Sequence, residues 1–190
     1  MKYLVKKRLY FLLLLFLSVP SCANFNVTRE YVLDKDKDVG ILVMSINHNT
    51  DTITLRYGNK SNSETGAIMT STIYDAMDFR QPKGRLVVIE LPSGGYEFYQ
   101  WETYFKNIRY TSAYISAPFF IEKGKVTYIG NLHIYAELVN PVSTYIGVKS
   151  ELVFTDKSER DIPLLKKKYP KLDIDNLSKK ISQIKGGSIL

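Results

Sequence analysis

Cysteine occurs once in this chain of 190 residues, histidine twice and tryptophan once. One cysteine excludes an internal disulfide framework, so any fold must be held by its core. The two histidines, His48 and His133, share no sequence pattern, and a zinc site would need further ligands. No G-x-S-x-G elbow, H-E-x-x-H helix, Walker loop or dinucleotide fingerprint is present. Ser182-Gln183-Ile184-Lys185 has the S-x-x-K form of acyl-serine enzymes, but it stands near the end of the chain with no K-T-G partner, and chance explains it. These absences lead to the expectation of a non-enzymatic protein that needs no metal or cofactor. A long hydrophobic run is also missing: Leu9 to Leu17 is apolar for nine residues, and a membrane-spanning helix takes about 20.

That short apolar run nevertheless has a role. It follows Lys2, Lys6, Lys7 and Arg8 and leads through Ser18, Val19, Pro20 and Ser21 into Cys22, the charged, apolar and small-residue order of an export signal. Val19-Pro20-Ser21-Cys22 resembles the lipobox of bacterial lipoproteins. The resemblance implies that residues 1–21 are removed, that the Cys22 sulfur receives a diacylglyceryl group and that the new amino end is acylated, as by palmitate. Two or more acyl chains hold a protein stably on a membrane. Ala23 stands where an aspartate would favour the inner membrane, so the expected location is the outer membrane, facing the periplasm. The alternative is an ordinary secreted protein whose cysteine falls near its cleavage point by chance.

The net charge of +7 is mostly signal peptide. Four of the 26 basic residues and none of the 19 acidic ones lie in residues 1–21, which leaves 22 against 19, or +3. A nucleic-acid binder carries a clustered basic footprint, and this balance argues against one.

Residues 22–38 read as the lipidated cysteine and a polar tether, interrupted by Phe25, Val27 and the Tyr31-Val32-Leu33 cluster, which can instead dock as an edge strand. Asp34, Asp36 and Asp38 invite a calcium reading. An EF-hand loop needs Gly at its sixth place and Glu at its twelfth, where Val39 and Ser45 stand, so a solvated turn is the better expectation. From Val39, apolar and β-branched runs alternate with Gly, Asn, Asp and Pro. The expected strands are 40–46, 52–57, 67–74, 85–91, 96–104, 119–122, 125–137 and 145–154. Residues 39–155 should therefore form a mainly β domain, an antiparallel β-sandwich of immunoglobulin- or prealbumin-like type.

Leu91-Pro92-Ser93-Gly94-Gly95-Tyr96 and Phe120-Ile121-Glu122-Lys123-Gly124-Lys125-Val126-Thr127-Tyr128-Ile129-Gly130 resemble stretches of prealbumin-like and carboxypeptidase-regulatory-like sandwiches in uncharacterised bacterial lipoproteins. Such patches imply a fold and carry over no catalytic residues. Asp161 to Pro170 is similar to the tail of those lipoproteins. Residues 156–190 should form a short helical extension: Asp161 caps one helix with Pro163 in its first turn, and Asp173 caps a second whose Ile174, Leu177, Ile181 and Ile184 share a face. Lys166, Lys167, Lys168, Lys171, Lys179 and Lys180 either contact anionic headgroups or form a solvated face.

Aromatic residues are dense between Tyr96 and Tyr114. They either fill the core or form a binding face, and the candidate binding residues are Trp101, Tyr104 and Tyr99. On a regular strand Tyr99 and Trp101 oppose Tyr96, Phe98 and Gln100. Glu97 and Glu102, five apart, would likewise lie on opposite faces, which counts against a glycosidase pair. The expected partners are the membrane, through the Cys22 anchor, and an envelope protein or glycan. The expected role is an adaptor or structural component, with glycan or lipid binding through the aromatic face and an envelope hydrolase as alternatives.

Overall fold

Gly40 to His48 is buried at every position, whereas Thr52 to Asn59 alternates between half-buried and buried. The two patterns mark a strand covered on both faces and a strand covered on one. The computed structural model describes residues 26–59, 61, 65–72, 76–105, 108–111, 114–139 and 147–184 and explains both. The chain is mainly β, with two sheets packed face to face.

The first sheet has the order β10 (Gly147–Thr155), β9 (Val126–Val139), β1 (Val39–His48), β5 (Lys83–Pro92) and β4 (Phe79–Arg80), with β11 (Ser178–Lys179) also beside β9. The second has the order β3 (Thr65–Ser71), β2 (Thr52–Asn59), β6 (Gly94–Phe105) and β7 (Ile108–Thr111), with β8 (Ala117–Ile121) beside β6. Leu42, Met44, Ile46, Leu55, Phe98 and Ile134 fill the space between the sheets. A second core lies on the outer face of the first sheet, where Ile41, Val43, Val88 and Tyr128 meet Leu33, Leu165, Tyr169 and Leu172. Helix α1 (Ser158–Lys168) covers this face.

Four expectations are corrected. First, the pairing is not all antiparallel: β1 and β9 run parallel, as do β11 and β9. The chain between β1 and β9 passes through the other sheet, so a parallel pair arises with no crossover helix. Second, Asn26 to Leu33 is no free tether. Asn26 donates to the Leu86 carbonyl at 3.0 Å and accepts from the Val88 N–H at 2.9 Å, and the Val27 N–H meets the Val88 carbonyl at 2.8 Å. This covers the edge of β5, whose backbone groups need partners. Third, Asp161 does not cap α1. The helix starts at Ser158, whose N–H is held by the Asp156 carboxylate at 2.9 Å, and Asp161 is buried inside it. Fourth, Asp173 to Ile184 is not a second helix. The β9–β10 ladder begins at Asn131, which leaves the earlier part of β9 to be paired by β11, by the Lys180 N–H on the Tyr128 carbonyl and by the Ser182 N–H on the Ile129 carbonyl.

Two β-bulges set which residues face inward. One lies on β6, where Phe98 pairs with Tyr57 but Gln100 with Arg56. The other lies on β9, where Tyr128 pairs with Val43 but Asn131 with Ser45. Gly130 occupies the second with φ +105°, and a Cβ there would lie 2.9 Å from the Thr155 carbonyl, so glycine alone fits without strain.

Candidate functional site

The bulge on β6 decides the fate of the expected aromatic face. One extra residue reverses the alternation, so Tyr96 and Phe98 before it and Trp101 after it all point into the core. Trp101 is 2% exposed, so it is not part of an exposed binding face. Tyr99 sits at the bulge itself, half-buried, with its carbonyl accepting from the Ile115 N–H at 3.1 Å. Tyr104 lies at the register of Thr52, and its side chain lies outside the described residues, as does Cys22. Tyr114, 81% exposed, is the most open aromatic among the described residues.

The same bulge puts Glu97 and Glu102 on one face rather than two. Their partners on β2 are Gly58 and Thr54, so they stand about 13 Å apart along the strand, beyond the 5–9.5 Å of glycosidase pairs. Each carboxylate is also engaged: Glu102 with Arg56 at 3.2 Å, and Glu97 with the Ser116 hydroxyl. This face is a polar, ion-paired surface.

The most concentrated polar chemistry lies between α1 and the first sheet. The fully buried Asp161 accepts from the Ser45 hydroxyl at 2.6 Å, the Tyr128 hydroxyl at 2.8 Å and the Arg160 Nε at 2.8 Å. Ser45 Oγ in turn accepts from Asn131 at 2.8 Å and from the Arg160 guanidinium at 2.9 Å, and Asn131 also donates to Asn47. Burial and the neighbouring Asp161 carboxylate push the Tyr128 hydroxyl well above its ordinary pKa, so it remains a donor. Arg160 stacks over the Phe79 ring at 3.7 Å. Every member has a partner, and the arrangement fixes the helix on the sheet. The sequence hints at it only in β1, where Ser45 and Asn47 interrupt an apolar run.

His48 and His133 are on neighbouring strands but face opposite sides, because His48 pairs with Ile134 and His133 with Asn47. His48 is held by Thr70 Oγ1 at 2.8 Å and the Thr50 carbonyl at 3.1 Å. In the aspartate turn, Asp34 accepts from the Asp36 N–H at 3.1 Å, which holds its carboxyl below the usual range, and Asp38 accepts from the Ser93 hydroxyl. Among the described residues, no three His, Cys, Asp or Glu side chains are grouped to hold a metal.

Of the six C-terminal lysines, four are paired within the domain: Lys168 with Asp78 at 2.7 Å, Lys171 with Glu30 at 2.8 Å, Lys179 with Asp156 at 2.5 Å and Lys180 with Glu122 at 2.6 Å. Lys166 and Lys167 are exposed with no acidic partner among the described residues. An open cleft of about 850 Å³ between the Lys123-Gly124 turn and Asp173 to Ser178 carries Lys35, Lys123 and Lys125 beside Asp173 and Asp175. A second, of about 460 Å³, lies at the end of α1 between Lys166, Tyr169, Lys171 and Ile174.

Fold and surface together define a mainly β protein of two packed sheets with a polar clamp under its helix. No family model matches the chain, and no curated protein does. Among solved structures, a leucine-rich repeat protein from Bacteroides thetaiotaomicron is similar at 14% identity over 50% of this chain, with a TM-score of 0.35. The match spans 13% of that protein's length and is too slight to bear on fold or function.

Proposed function

We propose that the chain is a lipid-anchored protein of the bacterial envelope, held through acyl groups on Cys22 at the outer membrane and facing the periplasm, that acts as an adaptor or structural component. The observation that carries this reading is the order of Lys2 to Arg8, Leu9 to Leu17 and Val19-Pro20-Ser21-Cys22, which matches a lipoprotein export signal. The reading extends to an immunoglobulin- or prealbumin-like sandwich, supported by two face-packed sheets in which strands distant in sequence lie side by side, β1 with β5 and β9 and β2 with β6.

The test compares the natural chain with Cys22→Ser in intact cells, by membrane fractionation and by crosslinking with affinity capture. The natural chain should sediment with outer membranes and the variant should not. A specific protein captured with the anchored form alone supports the adaptor role, and capture of no protein by either form removes it. Glycan or lipid binding is the second reading, favoured by the exposed Tyr114, whose neighbour Ile115 donates its N–H to the Tyr99 carbonyl at 3.1 Å. Glycan retention unchanged by Tyr114→Ala would count against it.

A further inference from the structure

We infer that the domain lies flat on an anionic phospholipid surface, docked through the basic corner where the end of α1 meets Asn26. This inference rests on the lipid-anchored reading. Four peptide steps separate Cys22 from Asn26, a reach of about 14 Å at most, and Asn26 and Val27 are fixed to β5 by three hydrogen bonds. A tether running to Asp38 would let the domain float some 50 Å away. The docked Asn26 shortens that leash, so one particular corner of the domain must stay at headgroup level.

The chemistry of that corner suits an anionic surface. Tyr169, just past the end of α1, meets the Asn26 side chain, and this brings the lysine-rich last turn of the helix beside the chain's entry point. Arg29, Lys166 and Lys167 are exposed there with no acidic partner among the described residues, Lys171 shares a surface pair with Glu30, and of the two carboxylates that line the cleft at the end of α1, Asp173 and Asp175, the first is paired with Lys35 at 2.7 Å. Val32 lies in the same docked segment and is 63% exposed. The acidic partners of Lys179 and Lys180, Asp156 and Glu122, lie elsewhere, so the docking cations are those near Asn26 and not the whole C-terminal lysine set. Each cation near such a surface contributes about fivefold to binding.

The test uses the acylated chain on vesicles of phosphatidylglycerol and phosphatidylcholine that carry a lipid-borne quencher. A fluorophore is attached at Pro170→Cys, beside the basic corner, or at Lys149→Cys on β10, at the far edge of the same sheet. The expected result is quenching several times stronger at position 170 than at 149, lost on phosphatidylcholine alone and reduced at least tenfold in population by Lys166→Glu with Lys167→Glu. Equal quenching at both positions, or stronger quenching at 149, overturns the docked orientation. Strong quenching at 170 that survives both the charge reversal and the neutral vesicles overturns the headgroup contact. A chain that does not sediment with vesicles at all instead fails the lipid-anchored reading, which separates the two ideas.

Discussion

Trp101 and Asp161 show how far one side chain's surroundings decide its role. Trp101 lies among Leu55, Phe98 and other core residues, so Trp101→Ala should cost about 3–5 kcal/mol, read as a lower denaturation midpoint. An exposed binding residue would cost less than about 0.5 kcal/mol. Asp161 is a buried carboxylate with three donors, and Asp161→Ala would leave the Ser45 and Tyr128 hydroxyls and the Arg160 Nε without their acceptor. The expected loss is about 3–5 kcal/mol, with α1 freed first, seen as early amide exchange of Ser158 to Lys168. A change under about 1 kcal/mol would mean that the helix is held by Leu165 and Tyr169 alone. At this scale the chain was partly legible. Ser45 and Asn47 are polar positions in an apolar run, but nothing in sequence joins them to Asp161, which stands 116 positions after Ser45.

The strands were visible as elements because apolar runs broken by Gly, Asn and Pro have a direct physical meaning. The bulge on β6 was not, since the extra residue there leaves no mark in composition yet reverses every later side chain, whereas Gly130 inside its strand marks the one on β9. A regular alternation sets Trp101 opposite Phe98 and Glu97 opposite Glu102, and the β6 bulge reverses both. The periodicity of Ile174, Leu177, Ile181 and Ile184 suited a helix, but unpaired backbone on β9 took the segment as β11 instead. Glu122 helps hold it there. Hydrogen bonds from Lys125 first, then Lys180 and Ser178, lower its pKa from 4.5 to about 2. Its folded value lies below its unfolded one, so its contribution is complete above pH 4.5 and disappears as pH falls through about 2. Protection of the Lys180 and Ser182 amides, taken relative to their intrinsic exchange rates, should fall across that window, and Glu122→Gln should flatten the response. An unchanged pH dependence in the variant would assign the holding role to another group.

For the molecule as a whole, the decisive feature is the place of β1 in the middle of the first sheet, buried on both faces and paired on both edges. Its parallel partner begins at Val126, which pairs with Ile41 from 85 residues earlier. Contacts so far apart make a fold slow to form, because the loop must close before the pairing returns any stability. The first strand to be synthesised therefore waits, apolar and unpaired on one edge, until most of the chain exists. A chain ended after Glu122 should stay protease-sensitive and prone to association, whereas the natural chain resists digestion. A resistant fragment would mean that β1 and β5 close without β9. Until Val126 has been added, then, the chain has no stable shape to resist being held extended, and its most apolar strand keeps one edge open.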